Sequence, residues 1–361
     1  MDRVLRPFGL PGHSFMPLLS SHACALPGIM ATRSIPDPKE RLATILVAPF
    51  MTCSARLPVY VLLTGLLFAG RPLMAGIAFV GCYALGIVAA MLSALLARRT
   101  ILRGKARPMA LELPSYKRPS LRTAAIAAYD RGLIFLRKAG TGILAVSIVL
   151  WWLGAFPKVG PSPLAERLRS EAQPQIVEAD RKLTMVDFND PAQKPEIEAI
   201  RDQIIAAKAK LDEANHLDTR YAKANSMLGK LGKTIEPALR PLGYDWQLSI
   251  GVLASFAARE VFVGTMSIVV AGEESDDDDD AAKQRIGDAL ASAMRDDGKT
   301  LVFTRATCWS LLVYYVLAMQ CIPTLVVTVR ESGNVKWAFL QLAWMIGVAY
   351  VAAFFVYSLT S

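Results

Sequence analysis

Charged residues are scarce in this chain of 361 residues. They make up 20% of it, against 53% hydrophobic residues, and the mean hydropathy is +0.35. So little charge does not fit an ordinary soluble domain, and a protein with several transmembrane helices is the default expectation. Cysteine is scarce as well. The five cysteines lie in apolar segments and none lies in a polar loop, which excludes the disulfide framework of a small secreted domain.

The excess of basic residues lies in one loop. Forty Lys and Arg residues against 31 Asp and Glu residues give a formal net charge of +9. Residues 98–138 hold eleven basic and two acidic residues, so this loop alone carries +9. Such a concentration beside apolar segments is the signature of a cytoplasmic loop. It argues against a DNA-binding face, and we expect no nucleic-acid partner.

Six apolar runs have about the length of 18 residues or more that a helix needs to cross a hydrocarbon core of roughly 30 Å. They are residues 44–69, 72–97, 139–156, 246–272, 301–329 and 335–358. A shorter run, residues 14–31, is interrupted by Pro17, Pro27 and Gly28. It therefore does not form one straight spanning helix.

Two polar stretches lie between these runs. Residues 157–244 have apolar residues at helical spacing and nearly balanced charge, which predicts a helical domain outside the membrane. Residues 273–300 hold ten acidic and four basic residues and should avoid the cytoplasmic face. The aspartate run 276–280 could gather external cations, but a run of like charges is more typical of a solvated loop.

The charges also set the topology. If loop 98–138 is cytoplasmic, three full crossings after it would leave Arg330 on the opposite side, so one segment must turn back. Segment 246–272 is the candidate because it holds charged residues in its middle. Basic residues also lie on both sides of the run 14–31. The same reasoning therefore predicts that this run is re-entrant.

An internal repeat joins the two re-entrant segments to the spans that follow them. Residues 20–27 lead to a span that contains residues 49–59, and residues 254–261 lead to a span that contains residues 317–324. Each unit is a broken segment followed by a helix with Met-x-Cys and a nearby proline. By the charge argument the two units enter from opposite sides. Inverted repeats with interrupted helices are a common plan of transporters, with the substrate site near the midplane.

The predicted fold class is therefore all-α, a polytopic helical membrane protein with two gate repeats containing broken or re-entrant helices, plus a helical extramembrane insertion. We divide the chain into residues 1–97 (first gate repeat and following helix), 98–138 (basic cytoplasmic loop and amphipathic helix), 139–156 (transmembrane helix), 157–244 (helical extramembrane domain), 245–329 (second gate repeat with the acidic loop 273–300) and 330–361 (C-terminal transmembrane helix).

The repeat places soft ligands near each proline. A proline after Met-x-Cys frees a backbone carbonyl, and carbonyl, thiol and thioether groups together bind a soft or borderline cation, while His and a carboxylate broaden the site toward Fe(II). The candidate metal ligands are Cys24, Cys53, Cys321, Met51, Met319, His22 and Glu260. The alternative for each sulfur residue is simple packing, to which we assign Cys82 and Cys308. His22 could equally be a polar residue at a helix break.

Intramembrane charges are the second signal. Arg56, Arg259 and Ser255 are predicted to line the pathway or balance its charge, because charged residues inside a membrane are rare without function. The alternative is a structural salt bridge of the arginines with Glu260.

No nucleotide site is recognised in this chain. Residues 229–234 (Gly-Lys-Leu-Gly-Lys-Thr) look like a phosphate-binding loop, but Met227 stands where the loop needs glycine, and no strand precedes it.

With these motifs the chain resembles the ferrous iron transport protein B (FeoB) family in its membrane portion. The resemblance rests on residues 14–19, 24–33, 48–60, 112–114, 254–266 and 336–338. It implies two gate motifs around an Fe(II) pathway in a bacterial inner membrane, and a role for Cys24, Cys53 and Cys321. The family tends to have Gly-Phe where this chain has Ser21-His22, so the resemblance does not extend to His22 as a ligand.

Members of the family normally begin with a cytoplasmic GTP-binding domain, whereas this chain starts at the first gate. The resemblance thus implies that GTPase activity resides in a domain absent from this chain. It also implies a partner, which is a GTP-binding domain or protein encoded upstream. A small FeoA-like cytoplasmic protein, membrane lipid and further copies of the chain in a homo-oligomer are the other expected partners.

We expect a multi-pass ferrous iron permease that moves Fe(II) inward and is not itself an enzyme. Fe(II) is its expected substrate. Two other classes stay open at this point. One is a membrane scaffold or regulatory subunit that binds a partner through its helical domain, and the other is a carrier of an organic solute such as a nucleoside.

Overall fold

The computed structural model describes residues 2–102, 120–135, 140–185, 194–256, 259, 261–267, 269, 287–295, 300–319 and 321–361. Within these residues all regular structure is helical, apart from one isolated bridge between Met294 and Leu301. The prediction of an all-α fold is confirmed.

The helices named below follow the chain. They are α1 (Asp2–Leu5), α2 (Phe15–Ser21), α3 (Ala25–Ala31), α4 (Pro38–Val47), α5 (Leu57–Leu67), α6 (Pro72–Thr100), α7 (Leu121–Phe135), α8 (Thr141–Ala155), α9 (Pro163–Met185), α10 (Lys194–Asn225), α11 (Met227–Leu239), α12 (Trp246–Ala254), α13 (Val261–Met266), α14 (Arg305–Leu317), α15 (Ile322–Ser332) and α16 (Val335–Thr360).

Four helical stretches of the described chain are long and apolar enough to cross a membrane. They are Pro38–Leu67, Pro72–Thr100, Arg305–Ser332 and Val335–Thr360. They correspond to four of the six predicted runs. In the described part of the run 139–156, α8 has 15 residues and extends about 22 Å. The described part of the run 246–272 forms the short helices α12 and α13, and residues 255, 256 and 259 between them are in turns.

The shorter run 14–31 is also broken, as predicted. It forms α2 and α3, each of seven residues, and Cys24 between them has an extended backbone (φ −158°, ψ 141°). Helices of seven residues extend about 10 Å, so neither crosses a hydrocarbon core alone.

Two of the four spans are themselves interrupted, which corrects the expectation that Met-x-Cys lies within a continuous helix. The first is extended at Cys53 between α4 and α5, and the second is extended at Ala318 and Cys321 between α14 and α15. Pro58 and Pro323 lie in the first turn of α5 and α15. Proline is well tolerated there because the first N–H groups of a helix have no partner within it, so the two prolines begin helices instead of kinking them.

Small residues allow α6 to pack closely on the interrupted spans. The helix buries Cys82, Gly86, Ala90 and Ala94, which are spaced four apart and share one face. A Cβ atom at Gly86 would lie 3.1 Å from the carbonyl oxygen of Phe50. Small residues at such a face let helix backbones approach one another within a membrane.

Helices α9 and α10 pack along a seven-residue repeat. The buried residues are Ala165, Ala172 and Ala179 on α9, and Ile200, Ala207 and Ala214 on α10. A heptad spacing keeps one face of each helix turned toward its neighbour. Helix α11 differs from this pair because it packs on the second gate repeat, where Gly232 lies against Ile250 of α12.

The basic segment after α3 and the end of the acidic stretch 273–300 lie at opposite ends of α16. Near its first residue, Glu331 binds Arg33 and Arg41. Near its last turn, the ring of Tyr357 lies against Gly243, whose carbonyl accepts a hydrogen bond from Arg295. The basic segment after α3 and the end of the acidic stretch are therefore separated by the length of a spanning helix.

Candidate functional site

Hydrogen bonds join the two breaks of the first repeat. Ser54 donates from its backbone N–H and its hydroxyl to the carbonyl of Ala23, at 3.5 and 3.0 Å. His22 donates from Nδ1 to the carbonyl of Thr52 at 3.1 Å. These bonds place the turn that carries Cys24 against the break of the first interrupted span.

The second repeat contains the same joint. Ile322, directly after Cys321, donates its backbone N–H to the carbonyl of Phe256 at 3.1 Å. Ser255 is fully buried, and its hydroxyl donates to the carbonyl of Val252 at 2.6 Å. In each repeat the N–H that follows the cysteine thus bonds a carbonyl in the break of the preceding segment. This shared bond is the structural counterpart of the internal repeat.

Arg56 is buried, with 1% of its surface exposed, at the break of the first interrupted span. Its guanidinium donates to the carbonyls of Phe50 at 3.1 Å, Pro49 at 2.8 Å and Val316 at 2.9 Å. The first two carbonyls belong to its own span and the third to α14 of the second repeat. Arg56 therefore ties the two repeats together.

Arg259 is also buried and donates to the same helix end. Its guanidinium bonds the carbonyls of Tyr315 at 3.0 Å and Ala318 at 2.6 Å. The last carbonyls of a helix lack donors within it and carry the negative end of the helix dipole. The end of α14 thus receives a guanidinium from each repeat. Neither arginine forms an ion pair with a carboxylate of the described residues.

The cysteines of the two repeats share this environment. Arg259 lies within electrostatic range of Arg56, Tyr60, Cys53 and Cys321. Cys53 and Cys321, predicted from separate repeats, therefore both lie near enough to Arg259 to interact with its charge. The structure also brings together the two arginines that the sequence assigned to the pathway.

The five cysteines divide by burial in the way that the sequence argument divides them. Cys24, Cys53 and Cys321 are half-buried, and each lies at a break. Cys82 and Cys308 are buried within helices. The first three are thus the accessible sulfurs of the set, and the other two occupy packed positions.

The remaining predicted ligands have different settings. Met51 and Met319 are buried at 3% and 1% exposure, and Met51 lines a cavity together with His22. Glu260 lies outside the described residues, so the expected salt bridge with the arginines has no structural test. Among the described residues no three His, Cys, Asp or Glu side chains could together hold a metal ion. The ligand set therefore stays a prediction.

Glu331 is a site residue that the sequence argument missed. Its carboxylate, 3% exposed, accepts hydrogen bonds from Arg33 Nε and from Arg41 Nη2, both at 2.8 Å. The hydrogen bond and the charge of Glu331 raise the pKa of Arg33 above its ordinary value, so the pair stays ionised. These bonds fasten the end of α15 to the first repeat. A lone acid beside a basic end of a span is the signal that could have identified it.

Gln341 was missed as well. Its Nε2 donates to the carbonyls of Ile45 at 2.8 Å and Leu46 at 3.2 Å, and its Oε1 accepts from Thr328 Oγ1 at 2.9 Å. Ile45 needs this donor because its helix partner would be the N–H of residue 49, which is proline. An uncharged polar residue within the last apolar run was the available signal.

Two family models match the chain. The model described as "Nucleoside recognition" (Gate) covers residues 1–67 and 136–335, and the model described as "Ferrous iron transport protein B C terminus" covers residues 79–131. Together they account for most of the sequence.

Curated relatives match along nearly all of this chain. "Fe(2+) transporter FeoB" of Leptospira interrogans is 35% identical over 99% of the chain, and the protein of that name from Helicobacter pylori is 30% identical over 97%. A "Fe(2+) transport protein A/Fe(2+) transporter FeoB fusion protein" of Porphyromonas gingivalis is 33% identical over 99%. The chain spans 44%, 49% and 39% of these relatives, respectively. No solved structure matches.

Proposed function

The chain belongs to the ferrous iron transport protein B family, whose C-terminal membrane portion it matches, and on this premise we propose that it conducts Fe(II) inward across a bacterial inner membrane. The matched relatives are named Fe(2+) transporters, and this chain has helices long and apolar enough to cross a membrane, so we propose a transporter rather than an enzyme. Fe(II) is the substrate in this proposal and not a resident cofactor.

The observation that carries the proposal is the meeting of the two repeats at the end of α14. Breaks from both repeats bring Cys53 and Cys321 to the electrostatic surroundings of Arg259. Backbone that is not helical is tolerated within a membrane where it is buried in protein or lines a pathway. Interrupted helices of inverted repeats that meet in this way support a substrate site at the midplane.

In this proposal the accessible sulfurs bind the ion. Cys53 and Cys321 form the central pair, with Cys24 beside them, because sulfur ligands suit a borderline or soft cation. Met51, Met319, His22 and Glu260 complete the candidate ligand set. Arg56, Arg259 and Ser255 hold the breaks in place and balance charge along the path.

The proposed partners follow from the relatives. The Porphyromonas gingivalis protein is a fusion with Fe(2+) transport protein A, which supports an FeoA-like partner for this chain. A GTP-binding domain or protein, membrane lipid and further copies of the chain complete the set. GTP hydrolysis is assigned to the GTP-binding partner.

Downhill ion flux tests the proposal without that partner. The purified chain is placed in liposomes that contain an Fe(II)-quenched dye, and anaerobic Fe(II) is added outside. We expect Cys53→Ser and Cys321→Ser each to lower the flux at least about tenfold, equal to about 1.4 kcal/mol of lost ion stabilisation. The double variant should be little worse than either single one, because ligands of one site act as a unit.

The matched controls are Cys82→Ser and Cys308→Ser, which should leave the flux nearly unchanged. Wild-type flux in the double variant rules out the paired cysteines as ligands. Uptake of a labelled nucleoside with no Fe(II) flux favours an organic-solute carrier. A folded chain that transports neither favours a scaffold.

A further inference from the structure

A groove with a volume of about 260 Å³ lies between α4, α6 and α16, which belong to three of the four stretches that can span a membrane. Buried residues of the three helices form its floor, namely Val47, Ser93 and Gln341. Its rim includes Leu96 and Trp344, which are 43% and 40% exposed. An exposed apolar rim on spanning helices faces the hydrocarbon of the bilayer, so the groove is open to lipid.

The polar side chains of the groove are already bonded to protein. Trp344 Nε1 donates to Ser93 Oγ at 3.2 Å, and the Thr100 hydroxyl donates to a carbonyl of its own helix at 2.7 Å. Gln341 makes the bonds to α4 and Thr328 described above. The other lining residues are Leu, Val, Ile and Ala. A polar solute would give up hydrogen bonds with water and find few replacements here, whereas hydrocarbon loses none. The lining therefore fits an acyl chain.

The groove lies near the basic end of the molecule. Leu340 is five residues, about 8 Å, from the first residue of α16, and Thr100 is the last residue of α6. Arg98 joins the end of α6 to the first turn of α4, where it lies 3.6 Å from the carboxylate of Glu40. The loop 98–138, predicted to be cytoplasmic from its charge, begins at this end. We therefore place the groove in the cytoplasmic leaflet.

Each of the three helices carries an exposed basic residue at this end. They are Lys39 in the first turn of α4, Arg99 in the last turn of α6 and Lys336 in the first turn of α16. Lys336, Leu340 and Trp344 follow at intervals of four residues and share one face of α16. Lys39 and Leu46 are seven residues apart and share one face of α4. The faces that line the groove thus continue to basic side chains.

The charge at this end is positive on balance. Residues 33–41, 98–100 and 330–336 together hold seven basic and three acidic residues. Two of the three acids, Glu40 and Glu331, are buried against arginines. The exposed lysines and arginines therefore offer their charge to an anion at the membrane surface.

We propose that the groove binds one molecule of an anionic phospholipid, with an acyl chain between α4, α6 and α16 and the phosphate headgroup against Lys39, Arg99 and Lys336. The acyl chain does not select this lipid, because lipid tails are as apolar as the lining. The charge selects it, since each basic residue near an anionic headgroup favours binding roughly fivefold. Basic pockets between transmembrane helices on the cytoplasmic side are suited to such headgroups.

Native mass spectrometry of the purified full chain tests the selection. The chain in detergent is titrated with phosphatidylglycerol, which is anionic, and with phosphatidylcholine, which is zwitterionic, with identical acyl chains. We expect the first phosphatidylglycerol to reach half-saturation at a concentration at least about tenfold lower than the first phosphatidylcholine. Equal half-saturation for the two lipids overturns the proposal.

Neutral variants locate the headgroup. The Lys39→Gln, Lys336→Gln double variant should raise the half-saturation concentration of phosphatidylglycerol about tenfold or more and leave that of phosphatidylcholine unchanged. Arg330→Gln is the matched control, because Arg330 is an exposed basic residue at the same end but lies on α15, outside the groove. A double variant that binds like the wild type, or an equal loss in Arg330→Gln, overturns the site.

A filled groove locates the acyl chain. Ala97→Phe adds volume to the lining without changing the charge and should weaken binding of phosphatidylglycerol about tenfold. Ala84→Phe, the same change at an exposed position of α6 outside the groove, should not weaken it. Only monodisperse protein is compared, and the exposed lysine pair tests the proposal even where the filled groove impairs folding. Wild-type binding by folded Ala97→Phe overturns the site.

The lipid site does not rest on Fe(II) transport, and the flux assay separates the two proposals. Selective binding of phosphatidylglycerol by a chain that conducts no Fe(II) supports the lipid site and contradicts the transport proposal. Fe(II) flux through a chain that binds both lipids equally overturns the lipid site and leaves transport standing.

Discussion

The two interrupted spans share a plan but satisfy their free carbonyls in different ways. In the first span, Arg56 donates to the carbonyls of Pro49 and Phe50 within the same span. Gln341 of α16 donates to the carbonyls of Ile45 and Leu46, which precede them. In the second span, α14 receives Arg259 from its own repeat and Arg56 from the other repeat. These carbonyls of the first break are therefore bonded without α12 and α13, whereas those of the second break depend on both repeats. Substitutions in the first repeat should disturb both breaks.

The largest expected effect tests this asymmetry. Arg56→Met removes donors from three buried carbonyls in two repeats, and Arg259→Met removes them from two carbonyls in one. A buried acceptor without a donor costs about 1–3 kcal/mol, while removal of a buried charge returns part of that loss. We expect Arg56→Met to lower the free energy of unfolding by several kcal/mol, and by more than Arg259→Met does.

The measurement is the fraction of detergent-solubilised protein that stays monodisperse after heating. Arg56→Lys is the control for charge, and it should recover only part of the loss, because an ammonium lacks the planar fork that bonds three carbonyls. A lower midpoint for Arg259→Met than for Arg56→Met contradicts the asymmetry.

The next largest effect concerns the support that α16 gives to the first break. Gln341→Leu leaves the carbonyls of Ile45 and Leu46 without this donor and should cost about 2 kcal/mol. Thr328→Val removes only one hydroxyl bond and should cost about 1 kcal/mol. Thermal midpoints in the same detergent compare the two variants. Equal midpoints for Gln341→Leu and the wild type show that α16 is not needed for the break.

A smaller effect is expected at the basic end of the molecule. Glu331→Gln removes the negative charge that Arg33 and Arg41 share, and partly exposed pairs of this kind contribute about 1 kcal/mol or less. The thermal midpoint of the wild type should fall as salt is raised, because salt screens exposed charges, and the variant should respond less. Parallel salt curves would falsify an electrostatic role for Glu331.

The smallest effect compares two glycines of α6. A Cβ atom at Gly86 would meet the carbonyl oxygen of Phe50 at 3.1 Å and Thr52 Oγ1 at 3.2 Å, while one at Gly81 meets nothing within 4 Å. Alanine is favoured over glycine within a helix by roughly 0.5–1 kcal/mol. Gly81→Ala should therefore raise the thermal midpoint slightly, and Gly86→Ala should lower it or leave it unchanged. A gain at Gly86 equal to that at Gly81 indicates that α6 does not pack tightly on the break.

Composition and charge sufficed to predict the helical class and the two broken segments. Proline and glycine within residues 14–31 and charged residues within 246–272 are local signals, and each marks its own break. The interruptions at Cys53 and Cys321 were not predicted, because a few extended residues hardly change the hydropathy of a run of nearly 30. A proline near Met-x-Cys is also compatible with either a kinked helix or the start of a new one.

The partners of the buried polar groups were beyond the sequence for another reason. Arg56 bonds Val316, 260 residues away, and Gln341 bonds Ile45, 296 residues away. Helix periodicity relates residues within a few turns and carries no information on such pairs. The arginines could be identified because charge is rare in apolar runs, but their carbonyl partners follow only from the packed fold.

The two guanidiniums at the end of α14 also repel a hydronium ion that comes close to them. Two unit charges 4 Å apart at an effective dielectric constant of 20 repel by about 4 kcal/mol, or roughly a thousandfold in population. Fixed cations beside a pore are a known means of excluding protons. Fe(II), with twice the charge, is repelled about twice as strongly, so its passage needs thiolate ligands to offset the repulsion, and hydronium has no such ligands. If the chain conducts Fe(II) as proposed, these two fixed cations oppose a parallel leak of protons through the junction of the repeats.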